Sequence, residues 1–195
     1  MSNEEDLSTG SKEVERANKA SPSKISKSLA LHSTHTFKVL FAESLNESTR
    51  ASIWSMFEAN MRTMYSGSSF GWDPPKKREE LFNRLSRFLL VYPTDEKDSL
   101  VAFTAFRFEY EEEENILYCY DLQVSESSQR HGLGRTLMNH LSKIGTDFGM
   151  DKIMLTVFKG NARALKFYNK FGFETDVVSP DDEDEEDYKL LCKYL

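Results

Sequence analysis

The chain carries only two cysteines, Cys119 and Cys192. Two thiols are too few for a disulfide framework or a zinc site, which fits a reducing intracellular compartment. No stretch approaches the ~18 consecutive apolar residues that a membrane-spanning helix needs, so no membrane role is expected. The opening residues, Met1 to Asp6, are acidic and hold no apolar run, so a secretory leader is not expected either. An excess of positive charge is also missing. Against 32 acidic side chains stand 25 basic ones, for a formal charge of −7. Surfaces that bind nucleic acid directly usually carry a basic patch, so a basic partner is the better expectation.

Aromatic residues are absent from Met1 to Thr36. That stretch is rich in Ser, Lys, Glu and Asn and offers little to bury. It reads as a largely disordered tail, with a helical turn near Val14–Lys19. Lys24, Lys27 and the serines beside them fit either a nuclear-targeting segment or a solvated tail. The remainder, 37–195, suits one domain. Hydrophobic residues make up 39% of the chain and aromatics 12%, enough for a core.

From there the pattern is orderly. Thr36–Leu45 alternates as a strand. Asn46 or Ser48 caps a helix over Glu47–Tyr65, with Ile53, Trp54, Phe57, Met61 and Met64 on one face. The loop Tyr65–Pro75 holds two glycines, two prolines and three aromatics. It reads as a binding wall through Tyr65, Phe70 and Trp72, or as a packed loop. Lys76–Leu85 suits a short charged helix. Strands are expected at Phe88–Tyr92, Leu100–Tyr110 and Ile116–Val124, and later at Lys152–Val157, Phe173–Val178 and Tyr188–Leu195. The acidic run Asp181–Asp187 lies between the last two. Strands followed by a β-helix-β unit give an α/β sheet of mixed direction.

One stretch organises the rest. Tyr118 to Val124 is an aromatic and β-branched strand. After it, Gln129-Arg130-His131-Gly132-Leu133-Gly134 opens a helix with apolar residues at Leu133, Leu137, Leu141, Ile144 and Phe148. Glycines at such a join let backbone N–H groups approach a ligand. A helix N-terminus then suits an anion such as phosphate. The lysine of a P-loop is missing, and so is the third glycine of a dinucleotide loop. Downstream, Asn161-Ala162-Arg163-Ala164-Leu165-Lys166-Phe167-Tyr168, then Gly172-Phe173, reads as a capped helix with Ala164, Leu165 and Tyr168 on one face.

Gln129-x-x-Gly132-x-Gly134, with the Asn161-to-Phe173 segment, resembles the GCN5-related N-acetyltransferase superfamily. Further strings resemble its histone-directed N-alpha-acetyltransferase branch, type D. They are Asn60 to Tyr65, Trp72, Lys77 to Glu80, Phe106 to Phe108, Leu117 to Tyr120 and Met154 to Lys159. The resemblance spans about Phe37 to Leu195. It implies a mixed, mostly antiparallel central sheet, splayed at an acetyl-CoA site and flanked by helices. It implies acetyl transfer to the α-amine of core histones that begin Ser-Gly-Arg-Gly, in cytoplasm and nucleus, without metal or auxiliary subunit.

Residue by residue, the resemblance gives acetyl-CoA to Leu122, Gln123, Val124, Gln129, Arg130, His131, Gly132, Leu133, Gly134, Arg135 and Asn161. The peptide goes to Tyr65, Phe70, Trp72, Glu109, Tyr110, Glu111, Tyr118, Tyr120, Thr156 and Tyr188. Asp121 falls at the general base, where the branch often has Glu, and Phe70 falls where a Trp occurs. Tyr168 falls at the thiolate's proton donor. An α-amine needs only modest help to deprotonate, so a carboxylate at Asp121 is chemically sufficient, directly or through water. Two other functions fit a cationic acceptor or none: acetylation of a polyamine or lysine side chain, and acyl-CoA binding without turnover. The aromatic strand holding Asp121 weighs against the latter.

Overall fold

The computed structural model describes residues 11–96, 98–181 and 186–195. Seven strands form one sheet in the order β1-β2-β3-β4-β5-β7-β6. They are β1 (His35–Phe41), β2 (Arg87–Pro93), β3 (Ala102–Glu111), β4 (Glu114–Val124), β5 (Lys152–Phe158), β6 (Glu174–Thr175) and β7 (Tyr188–Tyr194). Every pairing is antiparallel except β4 with β5. The long parallel connection is the helix α5 (Leu133–Phe148), as a parallel pair requires.

Helices cover both faces. Helix α3 (Glu47–Ser66) is capped by the Asn46 side chain on Thr49 N–H, at 2.8 Å. Together with α4 (Pro74–Leu81) it covers one face, burying Ile53, Trp54, Phe57 and Leu81 against Phe88, Leu90, Phe103 and Ala105. The short charged helix thus begins earlier than its charges suggest. Two prolines occupy its first turn, where their missing N–H groups cost nothing, and Asp73 caps it. The opposite face packs Leu133, Leu137, Leu141, Ile144 and Phe148 of α5 against Leu89, Val91, Phe106, Leu117 and Cys119.

The stretch before the first strand corrects the solvated-tail expectation. From Ser11 it forms α1 (Lys12–Asn18), where a helical turn was expected, and α2 (Pro22–Ile25), and Val14, Ala17 and Ile25 join the α5-side core. The apolar residues are few but fall on inward positions. Polar ties complete the docking. Asn18 Nδ2 donates to the Phe108 carbonyl at 3.2 Å, and buried Arg87 donates to the Asn18 carbonyl at 3.0 Å. Residues 1–10 lie outside the described residues, as does 182–185 of the acidic run.

The expected strand Phe173–Val178 shrinks to Glu174–Thr175, because Asp176 turns inward to meet Lys152 Nζ at 2.9 Å. Lys152 also pairs with Glu114 at 2.5 Å, so one buried ammonium ties together the starts of β4 and β5 and the end of β6. The β3–β4 hairpin turns at Glu112 and Glu113, both at positive φ (49° and 64°). That is the backbone of a type I′ turn, although Asn-Gly is its usual sequence.

Ile25→Ala tests whether α2 belongs to the core. A buried Ile truncated to Ala should cost about 2–5 kcal/mol, read as a lower urea midpoint at unchanged m-value. A solvated tail would leave the midpoint where it was.

Candidate active site

Parallel pairing of β4 with β5 runs only from Ile116–Lys152 to Cys119–Leu155. Beyond Cys119 the two strands separate. A cavity of about 750 Å³ opens between Tyr120–Val124 on one side and Thr156–Phe158 on the other. The separation starts at a β-bulge. Ala105 pairs with Asp121, but the next residue, Phe106, pairs with Cys119, so Tyr120 is the surplus residue.

The bulge reverses the alternation of β4. Before it, Leu117 and Cys119 point to the α5-side core; after it, Leu122 and Val124 do. Tyr120 and Asp121 are consecutive, yet both turn toward α3 and α4. Tyr120 packs against the α3 cluster, and Asp121 meets Lys77 of α4. The Thr104 hydroxyl donates to the Asp121 carbonyl at 2.8 Å, which holds the irregular backbone in place.

At one end of the cavity lies an anion site. Gly132 sits at φ 87°, a left-handed turn that suits glycine, and α5 starts directly after it with no side-chain cap. The N–H groups of Leu133, Gly134 and Arg135 have no main-chain acceptor among the described residues. They therefore present the positive end of the helix dipole to the cavity. Arg130, Arg135, Arg163 and Lys170 also line it. Arg163 and Lys170 were missed in the sequence. Their seven-residue spacing on α6 (Ala162–Phe171) puts them on one helix face, a signal available there. The Gln129 amide donates to the Val124 carbonyl at 3.1 Å, and Asn161 spends its side chain capping α6 at Ala164 N–H, 3.0 Å away.

Aromatic residues wall the other end: Tyr65, Phe70, Tyr118, Tyr120 and Phe158. Phe70, 52% exposed, leans on Phe158 and Tyr188 with ring centroids 5.7 and 5.2 Å away. Its loop is pinned by Asp187, whose carboxylate accepts from Ser69 N–H and Oγ–H at 2.8 and 2.7 Å. Those bonds hold the Asp187 carboxyl below its ordinary range. Tyr118 Oη lies 2.6 Å from Thr156 Oγ1, and burial pushes the Tyr118 phenol up to about 12. Tyr120 Oη donates to Glu109 at 2.7 Å under the Arg107 guanidinium, 3.8 Å from its ring.

Asp121 lies at the floor, 7% exposed. Its Oδ1 accepts from Gln123 Nε2 at 2.6 Å, and its Oδ2 stands 3.5 Å from Lys77 Nζ. Burial raises its carboxyl above the ordinary value, with Lys77 and Gln123 pulling back. Asn60 Nδ2 in turn donates to Gln123 Oε1 at 2.9 Å and to the Val124 carbonyl at 3.1 Å. Tyr168 faces the same cavity, and burial keeps its phenol protonated far above pH 10. Cys119 is a core residue, its thiol pushed up to about 12 by burial.

Most of the expected site residues thus meet in one cavity, but six do not line it: His131, Trp72, Glu109, Tyr110, Glu111 and Tyr188. His131 is exposed on the loop. Trp72 packs into the α3 cluster, its indole 5.8 Å from the Trp54 ring and stacked on Phe57 at 6.2 Å. Tyr110 corrects the expectation most clearly. Strand alternation sends it to the α5-side core, away from Glu109 and Glu111. Glu109 reaches the cavity through Tyr120, and Tyr188 only supports Phe70. Lys77, Glu80 and Asn60 are cavity residues that sequence reading did not select. Lys77 and Glu80 stood in the expected short charged helix, within a string that carried the resemblance but no role.

Residues 53–173 match the family model described as Acetyltransferase (GNAT) family. The chain belongs to the GNAT acetyltransferase family. Its chemistry is acetyl transfer from acetyl-CoA, and the anion end described above has the donors that a diphosphate needs. Among solved structures, a chain of the NatC complex bound to Gag peptide and CoA is 17% identical. It has a TM-score of 0.61, over 84% of this chain and 99% of that one. Arabidopsis thaliana Naa50, in complex with the bisubstrate analogue CoA-Ac-MVNAL, is 20% identical with a TM-score of 0.55, over 84% and 100%. A nourseothricin acetyltransferase is 23% identical, but this chain spans only 65% of it, with 56% of this chain matched and a TM-score of 0.46. The first two likenesses show the shared fold.

A Cβ at Gly134 would meet nothing closer than Phe167 Cζ at 3.5 Å, so Gly134→Ala should fold and bind. Gly134→Glu should fold too, but its carboxylate beside the diphosphate site should weaken acetyl-CoA more than about tenfold, or ~1.4 kcal/mol. Calorimetric titration checks both; equal affinities would remove the loop from the cofactor site.

Proposed function

We propose that the enzyme is an N-alpha-acetyltransferase acting on the N-terminal serine of core histones that begin Ser-Gly-Arg-Gly. What carries this reading is the aromatic end of the cavity, which holds one buried carboxylate, Asp121, at its floor. Glu109 and Glu111, at alternate positions of β3, suit the peptide's arginine, because its planar fork pairs with carboxylates. The type D strings noted in the sequence support the same choice. On this reading the protein works in cytoplasm and nucleus, without metal or auxiliary subunit.

The amine nitrogen attacks the thioester carbon while its proton passes to the Asp121 carboxylate. The C–S bond then breaks, the departing sulfur takes a proton from the Tyr168 hydroxyl, and the proton received by Asp121 is passed back by way of solvent to the Tyr168 phenolate, so both groups are restored. A backbone N–H near Val124 stabilises the oxyanion between these steps. Because Asp121 must be ionised to act, activity is lost as pH falls through its carboxyl pKa. Burial sets that pKa above the ordinary value. Asp121→Asn should keep both ligands bound but lower kcat by about 10²–10⁴ and remove the acid limb. A pH–rate profile checks this, and a full-rate variant would remove Asp121 from the role.

Labelled acetyl-CoA should mark a Ser-Gly-Arg-Gly peptide with a free N-terminus. It should leave unmarked the same peptide already capped, and an internal-lysine peptide. Label on the latter two alone would replace the proposal with side-chain acetylation. Glu109→Gln with Glu111→Gln should raise KM for the free peptide, lowering kcat/KM roughly ten- to hundredfold, the worth of about 1.5–3 kcal/mol for a charge-assisted bond. Changing the peptide's arginine to alanine should add little in that variant; full additivity would mean they are not partners.

A further inference from the structure

Lys77 has no part in the chemistry above, yet it is as buried as Asp121, 7% exposed. A lysine so enclosed stays charged only if its neighbours outweigh the loss of water. Its Nζ lies 2.8 Å from Glu80 Oε2 and 3.5 Å from Asp121 Oδ2. The rings of Phe57 and Tyr65 stand 5.1 and 5.4 Å away and shut out solvent. Burial pulls the ammonium down, but Asp121, Tyr65 and Glu80 together hold it up, so it remains a cation.

The surroundings of Asp121 give that cation a task. Tyr65 faces it from α3, Lys77 and Glu80 from α4, Cys119 and Gln123 from β4, and Tyr168 from α6. Among these groups only Lys77 is positive. The phenols and the thiol are neutral, Gln123 donates a hydrogen bond without charge, and Glu80 repels. A fully enclosed carboxylate without a counter-charge takes up a proton, and a protonated Asp121 cannot accept one from an amine. We propose that Lys77 is a positioning residue that keeps Asp121 ionised and turned into the acceptor end. Glu80 completes the arrangement by anchoring the ammonium from its half-exposed side. The proposal rests on Asp121 being the base.

The test is Lys77→Met in the full chain, with the free Ser-Gly-Arg-Gly peptide as acceptor. Losing a cation 4–6 Å from a carboxylate raises its pKa by about 1–3 units in general, so kcat/KM should fall about tenfold or more near pH 6.5 and recover toward wild type near pH 9. Affinity for acetyl-CoA should hold. Lys77→Arg, which keeps the charge, should restore much of the acid limb. In an Asp121→Asn background, Lys77→Met should add no further pH dependence. An equal loss at both pH values, or none, would overturn the proposal. If Lys77→Met does not fold, carbon-13 NMR of aspartate-labelled wild-type chain decides. The carboxyl signal that vanishes in Asp121→Asn should be ionised near pH 7, and a protonated signal there overturns the proposal. Should the wild type acetylate only a lysine peptide, the N-terminal reading fails, but the same profiles can be read on that acceptor.

Discussion

Opposite Ala105 and Phe106 of β3, the partner strand carries one residue more than the ladder can use, and the aromatic end of the cavity is built on that surplus. A regular strand would alternate. Asp121 would then share the α5-side face with Leu117 and Cys119, among aliphatic side chains and without a counter-charge. The bulge at Tyr120 turns both Tyr120 and Asp121 toward α3 and α4, where Lys77 waits. It also coincides with the end of β4–β5 pairing, so the strands part where the side chains reverse. Bulges often sit beside active sites because they re-aim a side chain. Here the Thr104 hydroxyl secures the displaced carbonyl.

The cavity divides by charge. Its cofactor end combines free helix N–H groups with arginines and a lysine, all donors and none of them needing burial. Its aromatic end has one enclosed carboxylate, an ammonium beside it and neutral phenols. The first arrangement attracts a polyanion from solvent at little desolvation cost. The second keeps two largely buried charges side by side, each held by its neighbour. Gln123 links the two through Asn60, whose amide reaches both Gln123 and the Val124 carbonyl.

The rest of the chain keeps these two ends in register. Buried Arg87 and Asn18 fasten α1 to the sheet, and Lys152 joins β4, β5 and the end of β6 through two carboxylates. Asp187 belongs to the same plan. In the sequence it is the last residue of an acidic run, and its carboxylate is used by Ser69 to fix the aromatic loop.

The sequence alone determined what is local. Strand-forming residues before Gln129, glycines at 132 and 134, Asn161 as a cap and the periods of α3 and α5 each depend on neighbours a few positions away. They sufficed for the order of elements, a sheet of mixed direction and the strand–glycine–helix corner, while the family resemblance supplied the site residues, about half of the cavity lining. Three matters were decided only by tertiary structure. The bulge is invisible in composition, because Tyr120 is an ordinary strand residue until pairing with β3 leaves it over. Lys77 reads as one charge of a short charged helix, because only packing shows that Phe57 and Tyr65 enclose it. The stretch from Ser11 to Ser28 reads as tail, because its few apolar residues become core only where the sheet and α5 provide the other half of the contact. A contact between residues far apart in sequence has no local signature.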